Sequence, residues 1–196
     1  MCFDAVSSRN SFLLNLVASV VLLTGSALNK WTALFSLSFS LIQYIEYRIW
    51  SCPSQNVVWT SRVEPALWLQ TVVQTAGFMW YRNSSSLLPL LLVYIYKFAS
   101  SVAYPSTDKS YKGKGGHLVW YTDASKGVFG RVSSGLLYLL GLFLPLYLAL
   151  PETSFLLAYG AATFTYLYNK YNASQEFSSM WCIYGTLYPF VALWMR

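Results

Sequence analysis

Seven long apolar stretches, separated by short polar joints, constrain this chain more than any motif in it. Such stretches are too many and too continuous for the core of a soluble domain of this size. In lipid a backbone must satisfy its own hydrogen bonds, which leaves helices or a closed barrel. The stretches are continuous rather than alternating, so helices are expected. Charged residues make up only 10% of the sequence, against about 25% in soluble proteins. The expected fold is all-α: a polytopic membrane protein, a seven-transmembrane-helix bundle. Residues 1–196 form one domain.

The expected spans are 11–28, 31–50, 65–81, 86–104, 132–150, 153–171 and 177–195. Each approaches the ~20 residues that cross a ~30 Å hydrocarbon core. The first resembles a signal peptide in position. The residues after it offer no small-x-small cleavage site, so it is expected to be retained.

Seven crossings define two sides. Arg9, Arg62, Lys109, Lys112, Lys114, Lys126, Arg131 and Lys170 fall on the side of the N-terminus, with Arg48 just inside. Lys30, Arg82 and Arg196 fall on the other. The positive-inside rule therefore places the N-terminus in the cytoplasm and the C-terminus outside. The net charge of +6 is read as an orientation signal directed at a lipid bilayer, not at nucleic acid. A homo-oligomer is compatible with the pattern. Sequons at Asn83 and Asn172 fall on opposite sides, and a glycan on Asn172 would reverse the orientation.

Connections are short except for a long loop over 105–131. Trp120 and Tyr121 predict that this loop folds back onto the bundle at the headgroup level. Pro89, Pro145 and Pro189 lie inside the fourth, fifth and seventh spans and are expected to kink them.

The polar residues of interest converge on one face. Glu46 lies about one turn from the cytoplasmic end of the second span, and a carboxylate there must face protein or a wet cavity. Gln43, Glu46 and Trp50 share a helical face. Arg48 points elsewhere. Cys182, with Ser178 one turn before it, lies near the same end of the last span; Cys2, Cys52 and the single histidine, His117, are on the same side. Two thiolates, an imidazole and a carboxylate suit Zn²⁺, and a thiolate-rich set suits Cu⁺. The metal ligands expected are Cys2, Glu46, His117 and Cys182. Glu46 and His117 are the candidate catalytic groups, with Gln43, Trp50, Ser178 and Trp181 supporting them. Glu46 also fits a hydrogen-bonding strut toward Arg62 or Lys126, and a reversed orientation would permit a disulfide from Cys2 to Cys182 or Cys52.

These residues also carry a resemblance. Met1-Cys2-Phe3-Asp4-Ala5 resembles the MCFSA-type start of an uncharacterised seven-helix membrane family with bacterial and large-DNA-virus members. Gln43, Glu46 and Trp50 match its QxxExxxW second helix. His117, with the aliphatic-aromatic run after it, is similar to its loop histidine. Ser179-Met180-Trp181-Cys182 resembles its C-terminal SxWC motif. The departures are Asp4 in place of serine and the lysine-rich segment before His117. The resemblance implies a seven-helix fold and singles out Cys2, Gln43, Glu46, Trp50, His117, Trp181 and Cys182. It implies no reaction.

Three functions remain open on sequence. One is a metal or thiol site near the cytoplasmic face, with enzymatic activity undecided; a Cys–His pair from Cys182 or Cys2 with His117 is a variant of it. A second is a transporter or channel for ions, protons or small solutes, using Glu46 and an interior lining of Asn15, Gln70 and Gln74, with Lys97 paired or snorkelling. A third is a structural membrane protein, as in a virion membrane, with the cysteines only packing.

Overall fold

The computed structural model describes residues 4–113, 118–120 and 128–151, with side chains in 128–134 excepted. The described chain is mostly helical. It comprises α1 (Ala5–Leu23), α2 (Ala27–Ser51), a 3₁₀ turn (Pro53–Gln55), α3 (Asn56–Thr60), α4 (Val63–Arg82), α5 (Leu88–Ala103), α6 (Val128–Ala149) and a two-stranded antiparallel ribbon. The ribbon pairs β1 (Tyr111–Lys112) with β2 (Leu118–Val119) inside the long connection. Helix α1 packs along α2, α2 along α4, and α4 against both α5 and α6.

Helix ends fall where capping chemistry puts them, not where hydropathy does. Helix α1 starts six residues before the expected span because Asp4 caps it, accepting from the Ser7 amide at 2.7 Å. Its end and the start of α2 are both earlier than expected. Thr24-Gly25-Ser26 forms the joint: the Thr24 hydroxyl donates to the Val21 carbonyl at 2.8 Å, and Ser26 caps α2 by accepting from the Asn29 amide at 3.3 Å. Pro89 is not interior to its helix. It stands in the first turn of α5, where its missing N–H costs no hydrogen bond. Pro145 does lie inside α6. Asn83, in the first sequon, adopts a left-handed conformation (φ 47°) and ends α4, with the Ser84 amide reaching back to the Met79 carbonyl at 3.0 Å. The spans expected at 153–171 and 177–195, and Pro189, lie outside the described residues.

Hydrogen bonds from the Ser7 amide, and secondarily its hydroxyl, hold the Asp4 carboxyl below the usual carboxylate range. A depressed pKa means that this cap is complete above the ordinary carboxylate pKa and is lost as pH falls through the folded value. Amide exchange over the first turn of α1, corrected for intrinsic rates, should therefore quicken on acidification. Asp4→Asn should remove that pH dependence.

Among the described residues, one helix, α1, is long and apolar enough to cross a membrane; α5 and residues 135–149 of α6 are shorter apolar helices. A core helix of a soluble protein passes the same length and composition test. An N-terminal signal sequence passes it too, and α1 has two distinct faces. Its buried residues include Ser8, Ser11, Asn15 and Ser19, at spacings of three and four that mark one face. Its exposed residues include Leu13, Leu14, Val17 and Val20. Helix α5 exposes Leu92, Val93, Ile95 and Tyr96. On α1 the buried face is mostly polar and the exposed face mostly apolar, while α2 and α4 bury a hydrophobic core beside their polar groups.

Close helix approach is concentrated at two glycines. A Cβ on Gly77 would lie 2.1 Å from Cδ1 of Trp31, so the indole of α2 rests on the bare backbone of α4. A Cβ on Gly141 would meet Tyr94 and Thr71 at 2.7–2.8 Å, where α4, α5 and α6 converge.

Candidate functional site

At the end of α2 near the N-terminal side, Gln43 and Glu46 are both fully buried. Their three-residue spacing gives them one face, with half-buried Trp50 one turn further on. Glu46 has an interaction partner and is not an isolated charge. Arg48 turns away as expected: its guanidinium carbon lies 4.9 Å from the Trp59 ring centroid. The guanidinium of Arg62, one of the suggested strut partners of Glu46, lies over the same ring at 4.4 Å. Trp59 thus carries two cations, and its Nε1 donates to Gln55 Oε1 at 3.2 Å.

The long connection does fold back on this end. Leu118 of β2 is buried in a cluster with Ile42, Ile45 and Ile49 of α2, Trp59, Val63 and Ala66, and Trp120 packs against it. Two anchors fix the approach. The Asn56 amide forms a two-point contact with the Ser110 backbone, donating Nδ2 to its carbonyl at 3.0 Å and accepting its N–H on Oδ1 at 2.9 Å. Buried Thr60 bonds the Ser110 hydroxyl at 2.8 Å. Nothing in sequence linked residues 54 apart, although a polar Asn-x-x-x-Thr pair on a short helix was a visible signal. Asn56→Ala should cost about 1–3 kcal/mol, because it strands the Ser110 carbonyl near a buried contact and leaves the Ser110 N–H only its 3.1 Å bond to Thr60 Oγ1. Thermal unfolding in detergent, with limited proteolysis of the connection, would read the loss.

Of the four expected ligands, Glu46 is described; Cys2, His117 and Cys182 lie outside the described residues, as do Ser178, Trp181, Tyr121 and Lys126. Among the described residues no group of three His, Cys, Asp or Glu side chains converges. Cys52 is a free, half-buried thiol at the C-terminus of α2.

Deeper in the bundle the interior stays polar. Asn15 of α1, Gln70 and Gln74 of α4, and Thr75 are fully buried. At 1.5 Å per residue, these positions lie about 10–18 Å from the helix ends at the Glu46 face. Tyr138 of α6 donates its hydroxyl to Gln70 Oε1. Gln74 Nε2 donates to the Leu142 carbonyl at 3.2 Å, in the turn before Pro145. Other polar atoms here find no hydrogen-bond partner among the described residues. They include both amide atoms of Asn15, the Gln43 and Gln74 carbonyl oxygens, and Gln70 Nε2. Ser8, Ser19, Ser36 and Thr75 hydroxyls extend the row along α1, α2 and α4. Asn15, Gln70 and Gln74, the expected interior lining, are thus buried together with Ser19, Ser36 and Thr75. Lys97 neither reaches into it nor floats free: its Nζ lies 5.7 Å from the Trp68 ring centroid, in a group where Trp68 stacks on Tyr94.

No protein-family model, no curated protein and no solved structure matches the chain.

Proposed function

We propose that the chain is a multi-pass membrane protein, a seven-helix bundle with its N-terminus in the cytoplasm. It holds a polar site at the cytoplasmic membrane face, built as a transition-metal or thiol centre. Cys2, Glu46, His117 and Cys182 are the ligands, with Gln43, Trp50, Ser178 and Trp181 around them. The observation that carries this is the meeting of two remote segments at one end of α2. Glu46 and Gln43 are fully buried there, and Leu118, which follows His117 in sequence, packs onto the same end. A buried carboxylate beside a soft donor set would bind Zn²⁺ or Cu⁺, which would supply Lewis-acid or redox chemistry. The resemblance to the MCFSA-type family supports the same residue set.

The test is elemental analysis of the purified full chain. Stoichiometric Zn or Cu is expected, with a loss of about tenfold or more in affinity on Cys182→Ala and on His117→Ala. Metal at undiminished stoichiometry and affinity in both variants contradicts the proposal.

One observation favours a second function, transport of a small polar or charged species. Unpartnered polar atoms continue from Gln43 through Ser36 on α2, along α1 to Ser19, and through Gln74 on α4. Such a row is costly inside a bundle unless a hydrated or polar species uses it. Proton or cation flux in liposomes that falls on Glu46→Gln would select transport over a one-sided site.

A further inference from the structure

We propose that the lipid-facing flank of the α2–α4 contact is a binding site for one anionic phospholipid. Its acyl chain would lie in an apolar groove and its phosphate would sit on Arg62. This rests on the membrane-embedded bundle proposed above, but not on the metal site.

The groove has a volume of about 300 Å³. Its walls are Leu41 and Ile45 of α2, Ala66 and Leu69 of α4, and Phe98 of α5. Tyr44, Trp59 and Arg62 close the end toward the N-terminal side. From Arg62 the wall on α4 runs two turns inward, about 10 Å, and Leu41 lies about 15 Å along α2 from that helix end. The cavity is thus amphipathic in one direction: cation and indole at the membrane edge, hydrocarbon further in. That is the polarity of a phospholipid entering from the same leaflet. Leu41 is exposed at the groove, so it opens sideways onto the apolar surface, where lipid would be, and not into the polar interior.

Charge fixes the class of headgroup. Among the described residues, Arg62 is the only charged group lining the groove. It is exposed at the surface and held over Trp59 with Arg48 on the same ring, so its guanidinium is oriented before any ligand arrives. A guanidinium presented this way binds phosphate through paired N–H donors. The Ser110 anchor on Asn56 and Thr60 brings the exposed Lys109 and Lys112 to the same end of the bundle, adding positive potential. The acid nearest in sequence, Glu64, faces the other flank of α4, where its Oε1 accepts from Trp68 Nε1 at 3.4 Å. A zwitterionic headgroup gains less from this field than phosphatidylglycerol does.

The experiment is native mass spectrometry of the full chain in mild detergent, titrated with phosphatidylglycerol or phosphatidylcholine. Phosphatidylglycerol should be retained in preference. Arg62→Gln should weaken it about five- to tenfold, the scale of one cation–phosphate contact, and weaken phosphatidylcholine, whose choline offsets its phosphate, by less. Leu41→Trp should weaken both lipids by filling the groove, and gel filtration would verify that each variant is folded. Equal retention of the two lipids, unmoved by either variant, overturns the proposal. So does displacement of phosphatidylglycerol by millimolar inorganic phosphate, which would reduce the site to an ion contact. A chain that leaves membranes in an alkaline wash without detergent would instead defeat the membrane-embedded bundle itself. A membrane-retained chain indifferent to headgroup and to Arg62 defeats only the lipid site.

Discussion

Gly77→Ala is expected to destabilise the protein by about 1–3 kcal/mol or more, the range for forcing extra atoms into a packed core. Two effects of opposite sign compete. Alanine gains up to about 1 kcal/mol in a helix interior through backbone entropy. Against this, the new Cβ would stand 2.1 Å from Cδ1 and 2.5 Å from Nε1 of Trp31. The indole has no easy retreat. It is fully buried, stacked on Tyr81 at 5.6 Å and edge-on to Phe78 at 6.3 Å. Overpacking therefore outweighs propensity, and α2 must shift away from α4. Gly135 supplies the control, because nothing lies within 4 Å of a Cβ placed there. Gly135→Ala should raise stability by up to about 1 kcal/mol. Thermal denaturation of both variants in one detergent gives the comparison, and a Gly77→Ala protein as stable as the parent would mean that the α2–α4 contact is wrong.

Asn15→Leu is expected to act in the opposite direction. Both polar atoms of this fully buried amide lack hydrogen-bond partners among the described residues. A buried unsatisfied group costs about 1–3 kcal/mol, and a leucine of similar size removes both. The variant should be more stable, by about 2 kcal/mol or more, while losing whatever polar traffic or binding the interior supports. A strut behaves otherwise: if Asn15 ties helices together, its replacement lowers the unfolding midpoint. Stability and liposome flux measured on the same preparation separate the two outcomes, and a less stable Asn15→Leu protein would remove the argument for a functional polar interior.

The sequence carried the helices further than it carried their ends. Apolar runs located α2, α4 and α5 to within a few residues, because helix length and hydrocarbon content are local properties. The joint at 24–26 was misplaced because its residues interrupt an apolar run too briefly to lower a windowed average, although Thr-Gly-Ser is itself a stop and cap signal. Pro89 looked like a kink for the same reason: its position relative to the first turn, not its presence, decides its effect. Short α3 has too few residues to show a period. Within the site, the burial of Gln43 and Glu46 followed from their spacing and the cost of charge in lipid. The folding back of the long connection followed from its aromatic content. What lay beyond reach was pairing across sequence: Asn56 with Ser110, Gln70 with Tyr138, Gly77 beneath Trp31. Those depend on how helices are rotated against one another, and a periodicity fixes only which residues share a face. The polar stripe of Ser8, Ser11, Asn15 and Ser19 was legible at helical spacing, but its meaning required knowing which face turns inward.

The apolar outer faces of α1 and α5 underlie the proposed membrane setting and the lipid groove alike. Site-directed spin labelling in phosphatidylglycerol-containing bilayers tests it most directly, through collision rates with oxygen and with a neutral nickel chelate. Labels replacing Val17, Val20 and Leu139, whose side chains face outward, should collide more with oxygen, the lipid-soluble reagent. Higher collision with the nickel chelate at these three positions would place water against the apolar face and contradict the account.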